Sequence, residues 1–209
     1  MRVGIIDYDM GNLHSVAKAL AHLGVEGEII QEITGEYAGL ILPGVGAFDP
    51  AMHHLHERHL VAPIRRWIEQ NKPFLGICLG LQLLFSESAE GAAPGLGVIP
   101  GRVEPLQPTP GQPIPHMGWN QLQFTQPHCP LWRNLPPHAW VYFVHSYHGV
   151  PTDPQTIAAT VAYGGQTVTA AIAQGNCLAT QFHPEKSGTV GLTILRNWLT
   201  GCVSGLAVT

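Results

Sequence analysis

The sequence predicts an α/β fold in a single domain: a mostly parallel central sheet flanked by helices, with a smaller antiparallel sheet from the C-terminal half. Three observations carry this. Apolar strand-like runs alternate with helix-like segments through the first 87 residues, the pattern of a parallel sheet covered on both faces. From residue 116 onward, short strand-like segments arrive at intervals with turn signals between them, as antiparallel strands do. A chain of 209 residues is long enough for one sizeable core.

The elements follow in order. VGIID (3–7) is a short buried strand, and Leu13, Val16, Ala17, Leu20 and Leu23 then recur at helical spacing until Gly24 can close the helix. VEGEII (25–30) and GLILP (39–43) read as the next strands. A helical zone from 48 to about 70 is expected to break near Pro63. PFLGI (73–77) is a third buried run, leading into a helix expected over 79–86. The texture changes at Ser88: residues 88–115 are rich in Pro and Gly, which suits loops and short edge strands. NQLQF, WVYFVHSY, TIAATVAY, TVTAAIA and CLATQF read as strands, and 189–199 as a closing helix with Leu192, Leu195 and Trp198 at three-residue spacing.

Composition excludes several classes. Charged residues make up 11% of the chain, the formal net charge is −4 and there are three lysines, so no basic stripe can track phosphates and nucleic acid is not expected as a partner. The longest apolar run, 73–85, contains Gln82 and falls short of the roughly 20 residues a membrane helix needs. MRVGIIDYDMG enters a strand without a charged n-region and apolar h-region, so a cytoplasmic location is expected. Cys78, Cys129, Cys177 and Cys202 form no C-x-x-C pair, and neither a metal site nor a cofactor is expected.

The chemistry concentrates in three segments. In GICLG, Cys78 stands where a buried strand ends and a helix begins, with Gly76 and Gly80 two residues to either side. This is the context of a nucleophile elbow, with sulfur in place of oxygen. A sharp turn brings backbone close on both sides and costs roughly 1–3 kcal/mol, which argues against its arising without use. The N–H groups of the following helix favour a thiolate. The competing reading is a small buried cysteine in the core.

A thiol nucleophile needs a base, and twelve histidines compete for the role. HHLHERHL (53–60) lacks the H-E-x-x-H metalloprotease spacing and reads as a solvated helical face. QFHPEKSG (181–188) is more specific: His183 follows a strand, Glu185 lies two residues on, and Pro184 stiffens the link, so the carboxylate can orient the imidazole. PGVGAF (43–48) follows a strand and can turn backbone N–H groups toward a site at the strand's carboxyl end, giving an oxyanion hole with the N–H of Leu79. Asp49 stands where a dinucleotide fingerprint would need its third glycine, which speaks against NAD.

With these residues assembled, the chain resembles the class I glutamine amidotransferases, whose pattern is a G-x-C-x-G elbow followed far downstream by F-H-P-E. Within the class it is similar to the glutaminase subunits of imidazole glycerol phosphate synthases, on GNLHS (11–15), PGVG (43–46), PHMGWN (115–120), YFVHSY (142–147) and HPEKS (183–187). The resemblance implies an amidotransferase domain over 1–201 with a C-terminal tail, 202–209. It implies that Cys78 attacks the carboxamide carbon of glutamine, that His183 is the general base and then protonates ammonia, and that Glu185 orients His183. Val45 and Leu79 would be the oxyanion donors, the peptide near Val45 reorienting to complete the hole. Gly46, Gln82 and the backbone at Ser146 and Tyr147 would hold the amino-acid end of the substrate. Ammonia would pass to a partner cyclase subunit, a (β/α)₈ barrel bound as a heterodimer, with Trp119, Tyr142 and Lys186 at the interface near that passage. Read from composition alone, Trp119 fits a core position as well as an interface.

The chain departs from the family pattern at Asp9, where a glycine is expected, and in the tail from Gly201. Two alternatives stand beside this reading: a glutaminase serving another synthase, such as that of anthranilate or pyridoxal phosphate, and a non-catalytic α/β binding subunit with an inert cysteine.

Overall fold

The computed structural model of the chain describes residues 1–204. The N-terminal half alternates as the sequence predicts: β1 (Arg2–Ile6), α1 (Leu13–His22), β2 (Glu26–Ile30), β3 (Gly39–Gly44), α2 (Phe48–Glu57), α3 (Val61–Glu69) and β4 (Phe74–Cys78). A single helical turn, α4 (Leu79–Gln82), leads to β5 (Phe85–Ser88) and β6 (Ile99–Pro105). The remaining strands are β7 (His116–Gln121), β8 (Gln123–Phe124), β9 (Trp140–His145), β10 (Tyr147–Pro151), β11 (Ile157–Tyr163), β12 (Gln166–Gln174) and β13 (Cys177–Thr180). Helix α5 (Gly188–Ser204) follows, running three residues past the expected domain boundary at 201; residues 205–209 of the expected tail lie outside the described residues.

One sheet of eight strands runs β2-β1-β3-β4-β13-β12-β11-β8. Its first five strands are mutually parallel and β12, β11 and β8 extend it in antiparallel pairings. The C-terminal strands therefore complete the central sheet instead of forming only a small separate one. Two smaller sheets stand apart from it: β10-β6-β5, and the antiparallel ribbon β7-β9.

Strand alternation divides the core into two layers. Val3, Ile5, Ile41, Leu75 and Ile77 face α1 and α5, where Val16, Leu20, Leu195 and Trp198 are buried. Ile6, Leu40, Leu42 and Phe74 face the opposite layer, with Met52, Leu55, Ile64 and Trp67 of α2 and α3.

Two expectations need correction. The break between α2 and α3 falls at His59, whose φ of 56° puts it in the left-handed region, and not at Pro63. Pro63 sits in the first turn of α3, where its missing N–H has no intrahelical partner to lose. The helix expected over 79–86 stops after one turn because the incoming 95–99 segment takes its carbonyls: Leu96 N–H donates to Leu83, and Val98 and Ile99 to Leu84, at 2.8, 2.9 and 2.9 Å.

Asp9 keeps the backbone its missing glycine would have supplied. Its φ is 68°, a conformation tolerated by aspartate better than by most residues. Its carboxylate pairs with Arg58 and lies 3.7 Å from His54.

A candidate glutaminase site

The cleft lies at the carboxyl ends of parallel strands β3 and β4, where ligands of open α/β sheets bind. It has a volume of about 380 Å³ and is lined by Val45, Gly46, Cys78, Leu79, Gln82, Glu90, Ser146 and Tyr147, with His145 and His183 beside them.

Cys78 occupies the strand-to-helix turn with φ 56° and ψ −109°, a strained backbone for any residue with a side chain. The flanking glycines are there because nothing larger fits. A Cβ on Gly80 would meet the Leu42 carbonyl oxygen at 1.9 Å, and one on Gly76 the Gly80 oxygen at 2.7 Å. The helix that follows is too short for a large dipole, and the Leu79 N–H, at its first position, has no intrahelical acceptor.

The strand pairing β4-β13 brings the second segment alongside: Ile77 pairs with Thr180, and Gln181, Phe182 and His183 continue from there. His183 Nδ1 and Glu185 Oε1 are 2.8 Å apart, both side chains being almost fully buried. Nε2 of His183 is buried without a hydrogen bond. Burial works against the imidazolium, but the nearby Cys78 sulfur, which Nε2 does not reach with a hydrogen bond, and the hydrogen-bonded Glu185 carboxylate outweigh it and push His183 up to about 9. The turn is pinned to the ribbon, since Tyr142 O accepts from His183 N at 3.0 Å and Ser187 Oγ accepts from Tyr142 N at 3.0 Å.

Geometry also separates the histidines. His145 lines the same cleft, yet its Nδ1 donates to Tyr147 O at 2.8 Å and its Nε2 lies 3.0 Å from His116 Nδ1. Burial lowers it to about 3, leaving neither nitrogen free for proton transfer. The other thiols separate as clearly: burial raises Cys129 to about 11 and Cys177 and Cys202 to about 12, so none is a ready thiolate.

The chain as a whole matches a known family. A model of the class I glutamine amidotransferases matches residues 4–202. The chain is a class I glutamine amidotransferase. It is similar, at 57% identity, to an imidazole glycerol phosphate synthase subunit HisH from Synechococcus sp. (strain JA-3-3Ab), over 95% of this chain and 93% of the relative. At 59% identity it is similar to the protein of that name from Thermosynechococcus vestitus, over 94% and 95%. Among solved structures, a glutamine amidotransferase superposes with a TM-score of 0.73 at 21% identity, covering 96% of this chain and 98% of that one. A glutamine amidotransferase from Thermotoga maritima does so at 0.67 and 16%, covering 98% of each chain. At these identities the two structures speak for the fold alone.

The amidotransferase cleft holds most of the sequence-predicted residues, with two qualifications. Val45 lines it, but its N–H donates to Met10 O at 3.0 Å and does not point at the nucleophile. Gly46 beside it has φ 109°, where a Cβ would also meet the Met10 side chain at 2.8 Å. The Ser146 and Tyr147 carbonyls are likewise taken, by Leu106 N and by Gln82 Nε2 at 2.8 and 3.0 Å. Trp119, Tyr142 and Lys186 stand apart from the cleft. Trp119 is 53% exposed, which removes the core reading, and it packs edge-to-face against Tyr142 across the ribbon at 6.1 Å. Lys186 is exposed at the end of the His183–Glu185 turn.

Two residues escaped the sequence reading. Glu90 places a carboxylate in the cleft while accepting from Phe48 N at 2.8 Å, the first N–H of α2. Its signal was a lone acid in the Gly-rich segment after Ser88. Gln181 is fully buried and directs its amide at Cys78 Sγ from 3.7 Å. It stands one residue before FHPE, within a segment already singled out.

Proposed function

We propose that the chain is the glutaminase subunit of an imidazole glycerol phosphate synthase, working in the cytoplasm in histidine biosynthesis. The observation that carries this reading is Cys78 on its strained turn in the cleft, beside a buried histidine held by Glu185. The amidotransferase domain spans 1–201, followed by the tail 202–209.

Glutamine enters with its amino-acid end toward Glu90, Gly46, Gln82, Ser146 and Tyr147, where the Glu90 carboxylate complements the α-ammonium. The Cys78 sulfur attacks the carboxamide carbon, forming a C–S bond as the carbonyl oxygen takes up negative charge. Leu79 N–H receives that charge, and Val45 N–H joins it once the peptide leaves Met10 O. Each such donor is worth about 3–4 kcal/mol in the transition state. His183 delivers its proton to the departing nitrogen, the C–N bond breaks, and ammonia leaves a thioester. Water then attacks, His183 takes its proton, and the C–S bond breaks to give glutamate and the free sulfur. Glu185 holds the imidazole and stabilises its charged form throughout.

The ammonia passes to a cyclase subunit, a (β/α)₈ barrel bound as a heterodimer. Support comes from the ribbon: Met117, Trp119, Tyr142 and Trp140 share its outward face, the first, second and fourth at least half exposed, with Lys186 on the adjacent turn. An apolar, aromatic exposed face is the composition of an interface core. There the cyclase makes imidazole glycerol phosphate and an aminoimidazole carboxamide ribotide.

The test is glutaminase turnover with and without the barrel partner and its phosphoribulosyl ligand, alongside labelling by diazo-oxo-norleucine. Labelling at Cys78 and turnover stimulated by that ligand are expected. Labelling confined to other cysteines would remove the enzyme reading, and turnover indifferent to the barrel would point to another synthase.

A further inference from the structure

A chain of hydrogen bonds, exposed at the Asn120 end and buried at the Gln181 end, runs from the ribbon to the nucleophile, and its direction is determined at both ends. On the inward face of β7, Asn120 Oδ1 accepts from Gln121 N at 2.8 Å, so its Nδ2 is the donor to Ala162 O and to His116 Nε2, at 3.0 and 3.3 Å. A neutral His116 then carries its hydrogen on Nδ1 and donates to His145 Nε2 at 3.0 Å. At the far end the Tyr147 carbonyl can only accept, so His145 must carry hydrogen on Nδ1 and leave Nε2 as acceptor. The two ends demand the same tautomers. Burial, holding His116 at about 4 and His145 at about 3, keeps both rings neutral at physiological pH.

The same carbonyl receives Gln82 Nε2 at 3.0 Å, and that nitrogen also donates to Gln181 Oε1 at 3.1 Å. With its oxygen so engaged, the Gln181 amide can present only N–H to the Cys78 sulfur. We propose that Gln181 is a positioning residue for the Cys78 sulfur, supplying a fixed N–H donor whose orientation is set through Gln82, the Tyr147 carbonyl and the His116–His145 pair. An N–H aimed at sulfur favours the charged form over the neutral thiol. It adds a second restraint on the sulfur to the thiol's own contact with Val144 O at 4.0 Å. The other titratable groups that act on the sulfur are His183 from the turn and Tyr8 from the end of β1, the latter buried and kept well above its ordinary range by burial and by Cys78. The proposal rests on the reading of Cys78 as nucleophile.

The experiment measures the pH dependence of iodoacetamide alkylation at Cys78 by mass spectrometry of the intact full chain, in the wild type, Gln181→Met and Gln181→Glu. Met fills the space without a donor, and Glu keeps the shape with acceptors only. The alkylation midpoint is expected to rise by about one pH unit in the Met variant, a tenfold slower reaction below the midpoint, and further in the Glu variant. His145→Gln, which breaks the tautomer chain upstream, is expected to move it in the same direction by less. A purely structural role would lower the melting temperature of these variants while leaving the midpoint where it is. Unchanged midpoints in folded Gln181→Met and Gln181→Glu overturn the proposal. Alkylation needs only an accessible thiol, so this outcome is independent of the nucleophile reading, which fails separately if Cys78→Ala retains glutaminase activity.

Discussion

The strain at Cys78 can be measured by comparing two inactive variants, Cys78→Gly and Cys78→Ala. Both remove the sulfur and differ only in Cβ. At an unstrained buried site alanine would be the more stable by about 1.5 kcal/mol, from the extra backbone entropy of glycine, about 0.5–1, and the burial of one methyl, about 0.8. At Cys78 the backbone stands at φ 56° and ψ −109°, and relief of that conformation is worth about 1–3 kcal/mol to glycine. The two estimates place the difference between alanine still ahead by about 0.5 kcal/mol and glycine ahead by about 1.5 kcal/mol. Urea unfolding at a common m-value reads the difference directly, and for a domain of this size each kcal/mol moves the melting temperature by about 2–4 °C. A Cys78→Gly variant less stable than Cys78→Ala by the full 1.5 kcal/mol would mean that the elbow stores no strain.

Two further outcomes are expected. His116 and His145 are depressed to about 4 and about 3, so below the unfolded value of 6.5 the unfolded chain takes up protons that the fold refuses. Stability is then lost as pH falls from 6.5 toward 4, by up to about 2.7 kcal/mol per pH unit for two protons. His183 is raised to about 9 and acts with the opposite sign: its contribution is complete below 6.5 and lost as pH rises through 9. Unfolding curves across pH 4–10 should therefore fall on both sides; His183→Gln should remove the fall between 6.5 and 9, while above 9 the buried thiols of Cys129, Cys177 and Cys202, raised to about 11, 12 and 12, still withdraw stability. Trp119→Ala, at a side chain 53% exposed, should cost the isolated chain less than about 1 kcal/mol. It should weaken binding of the barrel subunit by about 2 kcal/mol or more, roughly thirtyfold in Kd by calorimetry; unchanged affinity would move the interface elsewhere.

The elbow and the His-Pro-Glu turn were legible because each is a local event: glycines two residues from a cysteine at a strand end, and a carboxylate two residues from a histidine. The parallel half of the sheet was legible for a similar reason, since buried strands such as Ile41 and its neighbours read as continuous apolar runs. What escaped depends on partners far along the chain. Helix α4 ends early because residues 95–99 capture the carbonyls of Leu83 and Leu84, which no local pattern records. Gln181 meets Cys78 only through the β4-β13 pairing, across a separation of 103 residues. The choice among twelve histidines was settled in the same way: His145 is disqualified by His116 and a carbonyl, whereas His183 is kept charged by Glu185 and the sulfur. Asp9 shows the converse, a departure from pattern that preserves the backbone because aspartate accepts a positive φ.

The proposed function divides the labour between two subunits, with ammonia released at Cys78 and consumed in the partner barrel. It is tested most directly by measuring imidazole glycerol phosphate formation by the Cys78→Ala chain in complex with the cyclase subunit, once with glutamine and once with an ammonium salt. Glutamine-dependent synthesis should vanish while ammonium-dependent synthesis remains at the wild-type rate. Loss of both, or survival of the glutamine-dependent reaction, would contradict the account.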